Sequence, residues 1–408
     1  MVKVKLKNIA FNTTARILVV VFQLINVKLY TYYLNAEQIG VFFFLLAVSY
    51  FANAALFVPV DYYQQANLSK VIAASGGALP LLKFNARLIG FYFLFSTVLV
   101  VICEFIKPSY TSFVLVADIL ALFLYWVQAL RNTLNNLGHG NCVSLSFIQE
   151  AVLKVFFFFI LVKYCKADEV LLIVAWIISL FFSGCYLYYM AHKRHIFIGS
   201  CLHNICVREV FCFSYPFSFG AVCNWLQLQG YRLVLIPLGF AEEVGVFATL
   251  SNIGSAGIGA ASLIYSQQFT PLIYNTSGQY TSKYLKGAIA LIMVVAIVAF
   301  GMGEFMVSIL TSLDFAKHWR LLLFGVITDA ANLLIGALVI HITLTSDTKK
   351  LISVSILGVV SVIMIFSLLY WFSNISIVTI GIPLLFSQWI VVLYLFSIYK
   401  INRSLLSI

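Results

Sequence analysis

Charge is what this sequence has least of. Of its 408 residues only 10% are Asp, Glu, Lys or Arg, while 62% are hydrophobic and 16% aromatic. Soluble globular domains carry roughly 25% charged residues, so a soluble domain of this length is excluded. Acid is scarcer than base, 14 residues against 25, which leaves a net charge of +11. Such a balance can signal nucleic acid, but here the Lys and Arg are scattered over short segments between apolar runs, the pattern that orients membrane proteins. No nucleic-acid partner is expected. Paired cysteine motifs are missing as well: the eight Cys lie mostly inside apolar runs and imply no disulfide framework. Their densest group, Cys201, His203, Cys206 and Cys212 beside "HKRH" (192–195), has no C-x-x-C pair to hold zinc and reads as a basic loop with incidental thiols. No nucleotide-binding motif is present, so neither direct use of ATP nor a cofactor is expected. The basic start "MVKVKLKN" runs into an apolar segment too long for a signal peptide and without a small-x-small cleavage site, and reads as a retained first span.

Long apolar runs are what the sequence has instead. Runs of about 20 residues with few charges suit membrane-spanning helices. Twelve can be counted, at 9–34, 39–60, 80–103, 112–130, 144–162, 170–190, 211–238, 244–270, 285–310, 320–342, 352–372 and 375–399. No connecting segment is long enough to house a soluble domain. The expected class is an all-α polytopic membrane protein. With the N-terminus in the cytoplasm, Lys107, Lys163, Lys166, Lys317 and Arg320 fall on the opposite side and Arg16, Lys28, Arg87, Lys154 and Arg232 fall within spans. The remaining fifteen of the 25 cations, Arg131 among them, are then cytoplasmic, and this asymmetry places both termini there.

The chain also repeats itself. "AEQIGVF" (36–42) returns as "AEEVGVF" (241–247), an offset of 205. Upstream, "QLINVKL" (23–29) aligns with "QLQGYRL" (227–233) at 204, and downstream "YYQQ" (62–65) aligns with "YSQQ" (265–268) at 203. Three matches in order at a nearly constant offset indicate duplication. Six spans per half insert both halves in the same sense, which predicts two six-helix lobes, 1–195 and 196–408, related by a pseudo-two-fold axis along the membrane normal with a seam in the basic segment 191–210. In "NAEQ", Asn35 and Gln38 are placed to cap the second helix, Glu37 favours its positive end, and Gly40 permits close packing against a neighbour.

"NTTAR" (12–16) at the start of the first span, the short outer loop with "NAEQIGVF", and two six-helix halves together resemble the polysaccharide-specific exporters, the Wzx-type O-antigen flippases. These belong to a superfamily that includes multidrug and toxin extruders and lipid II flippases. The resemblance covers essentially the whole chain and is silent on the glycan. It implies two lobes around a cavity that opens alternately to each side of a bacterial inner membrane, and an undecaprenyl pyrophosphate substrate bearing an oligosaccharide. It also implies a polysaccharide polymerase and a chain-length regulator as partners, besides membrane lipids.

Ionisable groups at membrane depth usually face a bundle interior or a wet cavity. On the first span Asn12, Arg16, Gln23, Asn26, Tyr30 and Tyr33 recur at steps of three, four or seven and share one face. That stripe either lines a cavity or packs in a polar helix interface. Asn224, Gln227 and Tyr231 repeat it more weakly on the seventh span. Lys28 and Arg232 are repeat-equivalent cations that either snorkel to an interface or serve a cavity. With Arg16, Arg87 and Lys154 they form a series of cations suited to a pyrophosphate in transit, because Arg grips phosphate oxygens with two donors at once. Glu150 and Lys154, spaced i,i+4, are placed to pair. Asp329, one turn from Asn332 with no cation within a turn, is the leading candidate for ion coupling, ahead of Asp118 and Glu150. Asp61 reads as a solvated cap at the end of the second span. The expected function is flipping of the lipid-linked oligosaccharide, coupled to an ion gradient. The alternatives are a cation-coupled drug exporter of the same fold, whose lumen would favour carboxylates, or a membrane polymerase or ligase, for which the outer loops are short.

Overall fold

Inside hydrocarbon every backbone polar group must find its partner within the protein, and a helix achieves this within a single segment. A computed structural model describes residues 2–106, 108, 111–197, 205–276, 278–344, 349–372 and 375–406, and among these all regular structure is helical. In chain order the helices are α1 (Val2–Tyr33), α2 (Ala36–Ala52), a π-helical turn (Asn53–Phe57), α3 (Val58–Ser75), α4 (Leu79–Ile106), α5 (Thr111–Asn136), α6 (Gly140–Tyr164), α7 (Glu169–Lys193), α8 (Val207–Leu235), α9 (Ala241–Asn275), α10 (Thr281–Leu310), α11 (Leu313–Ala316), α12 (Leu322–Leu344), α13 (Lys349–Trp371) and α14 (Gly381–Leu406). A 3-10 turn, Trp319–Leu321, leads into α12. Cys201 and His203 lie outside the described residues.

Among the described residues eleven segments are long and apolar enough to cross a membrane, as expected for a multi-pass protein. The expected seventh span, 211–238, falls on α8, whose 29 residues exceed the length a bilayer requires. It is not among the eleven, because Asn224, Gln227, Gln229 and Arg232 lower its apolarity. The second span runs further than 39–60: Ala36–Leu68 is continuous, with the π turn between α2 and α3. Pro59 does not end it: it follows directly on the π turn, where the widened helix accommodates a residue that donates no N–H. The helix stops instead at Gly76, whose φ of 76° suits a residue without Cβ. Asp61 is consequently buried within the span, not a solvated cap.

The chain forms two compact units, Met1–Asn26 with Phe44–Val222 and Val27–Phe43 with Cys223–Ile408. In the first, the Phe57 ring stacks on Tyr125 at 4.2 Å and meets Tyr92 edge-on at 5.1 Å. Asn53 fills the widened turn, donating to the carbonyls of Ser49 (3.1 Å) and Ala121 (3.3 Å). The second unit has a core of Ile273, Tyr284, Ala288, Ala331, Leu338 and Leu395 joining α9, α10, α12 and α14.

The two heptapeptides meet within the second unit. Asn35 and Gln38 cap α2 reciprocally: the Gln38 N–H donates to Asn35 Oδ1 at 2.8 Å and the Asn35 N–H to Gln38 Oε1 at 3.1 Å. One turn on, the backbone at Gly40 lies against the Ala241 carbonyl, and Gly245 lies against the Ala36 carbonyl. The neighbour of each repeated motif is therefore the other copy. Gly254 and Gly325 make a second crossing, each against the opposing backbone, at Leu322 and Ser251 respectively. Within "GSAGIGAA" this close approach belongs to Gly254 alone, since Gly257 and Gly259 face open space.

A side chain at Gly40 or Gly245 has no room, because the obstacle is backbone. Gly245→Val is expected to destabilise the protein by about 1–3 kcal/mol through overpacking, seen as a lower unfolding temperature in detergent. Gly257→Ala is expected to lie within about 0.5 kcal/mol of the parent.

Candidate functional site

Polar side chains concentrate on one face of α6. Ser144, Phe147, Glu150 and Lys154 recur at steps of three and four, which aligns them along the helix. Glu150 stands at the centre. Its Oε2 lies 2.7 Å from Arg131 Nη2 on α5, and its Oε1 lies 2.6 Å from Lys154 Nζ. Arg131 is held further by Ser146, donating to its hydroxyl at 3.0 Å and its carbonyl at 3.2 Å. Lys154 Nζ sits 3.8 Å above the Trp176 ring of α7. Arg16 of α1 and Arg131 both lie over the Phe147 ring, at 4.3 and 3.8 Å from its centroid. Asn12, one turn before Arg16, accepts from the Ser144 hydroxyl at 2.9 Å.

Two cations thus pair with one carboxylate, and a third, Arg16, shares the Phe147 ring with Arg131. At formal charges the cluster is positive by two, and among the described residues Arg16 takes part in no ion pair. Aromatic faces offset part of that charge, each by about 0.5–2 kcal/mol, and leave guanidinium donors for an anion. A span ending at 130 places Arg131 in a cytoplasmic loop, whereas α5 continues to Asn136 and buries its side chain. Extending the helical phase of α5 past Gln128 would have found it.

The other predicted residues are dispersed. In the first unit Gln23 and Arg87 are exposed and Asn26 is buried. Asp118 accepts from Tyr92 and Ser96, both at 2.8 Å. In the second unit Asn224 is exposed, Tyr30 packs beside Phe42 and Tyr231 beside Phe247. Gln227 is buried and donates to Ser387 at 3.1 Å. Asp329 is half-buried and accepts from Asn332 at 2.9 Å. The repeat-equivalent cations have diverged. Lys28 donates to the Thr311 carbonyl at 2.6 Å, at the negative end of α10. Arg232 is buried between Phe43 and Tyr231 and donates to Gln229 at 2.5 Å. Both are therefore engaged by neighbouring structure in the second unit.

No family model and no curated protein sequence matches the chain. Solved structures do. It aligns over 97% of its length with 99% of an inward-facing multidrug resistance MATE family transporter of the MOP superfamily, at 11% identity and a TM-score of 0.65. It aligns over 96% of its length with 87% of the lipid II flippase MurJ in an inward closed conformation, at 12% identity and a TM-score of 0.73. The chain has the MOP-superfamily fold. A third MOP transporter, from Pyrococcus furiosus, matches over 98% of this chain and 96% of its own, at 10% identity and a TM-score of 0.54. Its description gives a binding pocket of reversed polarity, suggesting a different function. At such identities only the fold is shared, so charge placement within this MOP fold has to be read from this chain's own residues.

Removing one partner of a buried ion pair leaves the other charge uncompensated, at about 3–5 kcal/mol. Glu150→Gln, which strands Arg131 and Lys154, is expected to lower the unfolding temperature in detergent sharply. Replacing the group together with apolar residues (R131M, E150L, K154M) is expected to restore most of that stability.

Proposed function

We propose that this chain is a flippase that moves an anionic lipid-linked oligosaccharide, carried on undecaprenyl pyrophosphate, from the cytoplasmic to the outer leaflet of a bacterial inner membrane. The supporting observation is an excess of positive charge: Arg131 and Lys154 pair with the single carboxylate of Glu150, and Arg16 lies beside Arg131 on the shared Phe147 ring, all within membrane-spanning helices. An uncompensated cation at membrane depth is costly, and a pyrophosphate headgroup is a ligand that offsets it with bidentate contacts. A cationic drug has the opposite preference. The fold supports alternating access, since it is that of multidrug transporters and of a lipid II flippase. An ion gradient drives the cycle, with Asp329 and Asp118 as coupling carboxylates, and the product feeds a polysaccharide polymerase and its chain-length regulator. The cation-coupled multidrug exporter is the competing reading, favoured by the MATE structures.

Loss of the gene is expected to leave lipid-linked repeat units on the cytoplasmic leaflet, assayed by their inaccessibility to outer-face labelling. Arg16→Ala and Lys154→Ala, if folded, are each expected to reproduce that accumulation, with Arg16→Lys retaining part of the activity. Full export by both alanine variants would overturn the role of the cluster. Normal translocation in the deletion strain, together with sensitivity to cationic drugs, would replace the flippase with the exporter.

A further inference from the structure

A second polar network lies in the first unit, away from the Glu150 cluster, where the π turn joins α3. Asp61, at the start of α3 and within the span Ala36–Leu68, is only 7% exposed. Asn132 Nδ2 donates to its Oδ2 at 3.2 Å, and Gln128 in turn donates to Asn132 Oδ1 at 3.1 Å. Its other oxygen, Oδ1, is buried with no hydrogen-bond partner. One turn further along α3, Gln64 exchanges hydrogen bonds with Asn85 of α4, and the Tyr125 hydroxyl donates to Asn85 Oδ1 at 2.7 Å.

Among the described residues no ion pair includes this carboxyl. The ion pairs among the described residues join Arg131 and Lys154 to Glu150 and Lys317 to Asp314. On α5, Arg131 is turned to Glu150 and Ser146, and the groups presented to α3 and the π turn are the Asn132 amide and the Tyr125 ring. On α4, Lys83 and Arg87 are exposed, and on α8 the exposed Glu209 accepts from Tyr63 at 2.9 Å.

The other buried carboxylates differ. Both oxygens of Asp118 accept hydroxyl donors, Glu150 has two cations, and Asp329 is less buried with an amide donor. A carboxylate with one amide donor and one bare oxygen in an apolar span is a poor anion, because desolvation is unopposed by charge. A carboxylic acid fits the same site. The π turn directly before it, of a kind often found at functional sites, sets α3 in the phase that turns Asp61 inward.

We propose that Asp61 is a proton-holding site: Oδ1 takes a proton from hydronium, one O–H bond forming on Oδ1 as one breaks in the hydronium and a water departs, and the acid returns the proton to a water, regenerating hydronium and carboxylate, when the site becomes hydrated. The proton site stands on this geometry alone; its use in coupling rests on the transport reading above.

Infrared difference spectra of the purified protein between neutral and alkaline pH test it. The wild type is expected to show a carboxylic acid C=O band that survives at neutral pH and shifts in D2O. Asp61→Asn is expected to abolish that band, whereas Asp118→Asn and Asp329→Asn leave it in place. A band unaltered by Asp61→Asn, or none in the wild type, overturns the proposal. Should Asp61→Asn fail to fold, Asn132→Ala, which removes the amide donor, is expected to move the band to higher frequency, and an unmoved band likewise overturns it. Export in cells separates the two readings. Full, gradient-dependent export by Asp61→Asn removes the coupling role and leaves the flippase standing. A band that behaves as expected in a protein that flips no lipid-linked oligosaccharide removes the flippase and leaves the proton site.

Discussion

Hydrocarbon offers neither hydrogen bonds nor counterions, and that shortage governs the whole structure. It makes the backbone helical, and it obliges each polar side chain in a span to be answered by another side chain, an aromatic face or a carbonyl. Arg131 takes Ser146, Glu150 and the Phe147 ring together, and Lys28 takes the end of α10. The answer is incomplete at Arg16, which takes part in no ion pair among the described residues, and at Asp61, whose Oδ1 is buried without a hydrogen-bond partner.

Close helix contact is the second consequence. Without a hydrophobic drive between helices in lipid, backbones are brought together by small residues. Gly40 with Ala241 and Gly245 with Ala36 do this symmetrically, using both copies of a duplicated motif. The repeated motif thus forms a packing interface, while the cations upstream of its two copies have different partners, Lys28 a helix end and Arg232 aromatic rings.

Legibility followed the range of the interaction. The capping of α2 by Asn35 and Gln38 and the pairing of Glu150 with Lys154 are local, within four residues, and both stand where spacing put them. The apolar runs gave the helices and their number to within the more polar α8. Asp61 and Arg131 were misplaced because each lies just past the end of an apolar run, where composition alone cannot tell a helix that stops from one that continues.

By itself the sequence determined a helical, multi-pass membrane protein, its repeated heptapeptide and its surplus of cations, because these depend on composition, run length and residues close in the chain. Only the tertiary structure decided which polar groups meet. The face shared by Asn12, Arg16, Asn26 and Tyr30 on paper is met by different neighbours along α1, and Arg16 gains its weight from Phe147 and Arg131, far away in sequence. Charge compensation falls off within a few ångströms, and distances of that size between helices are written in their packing.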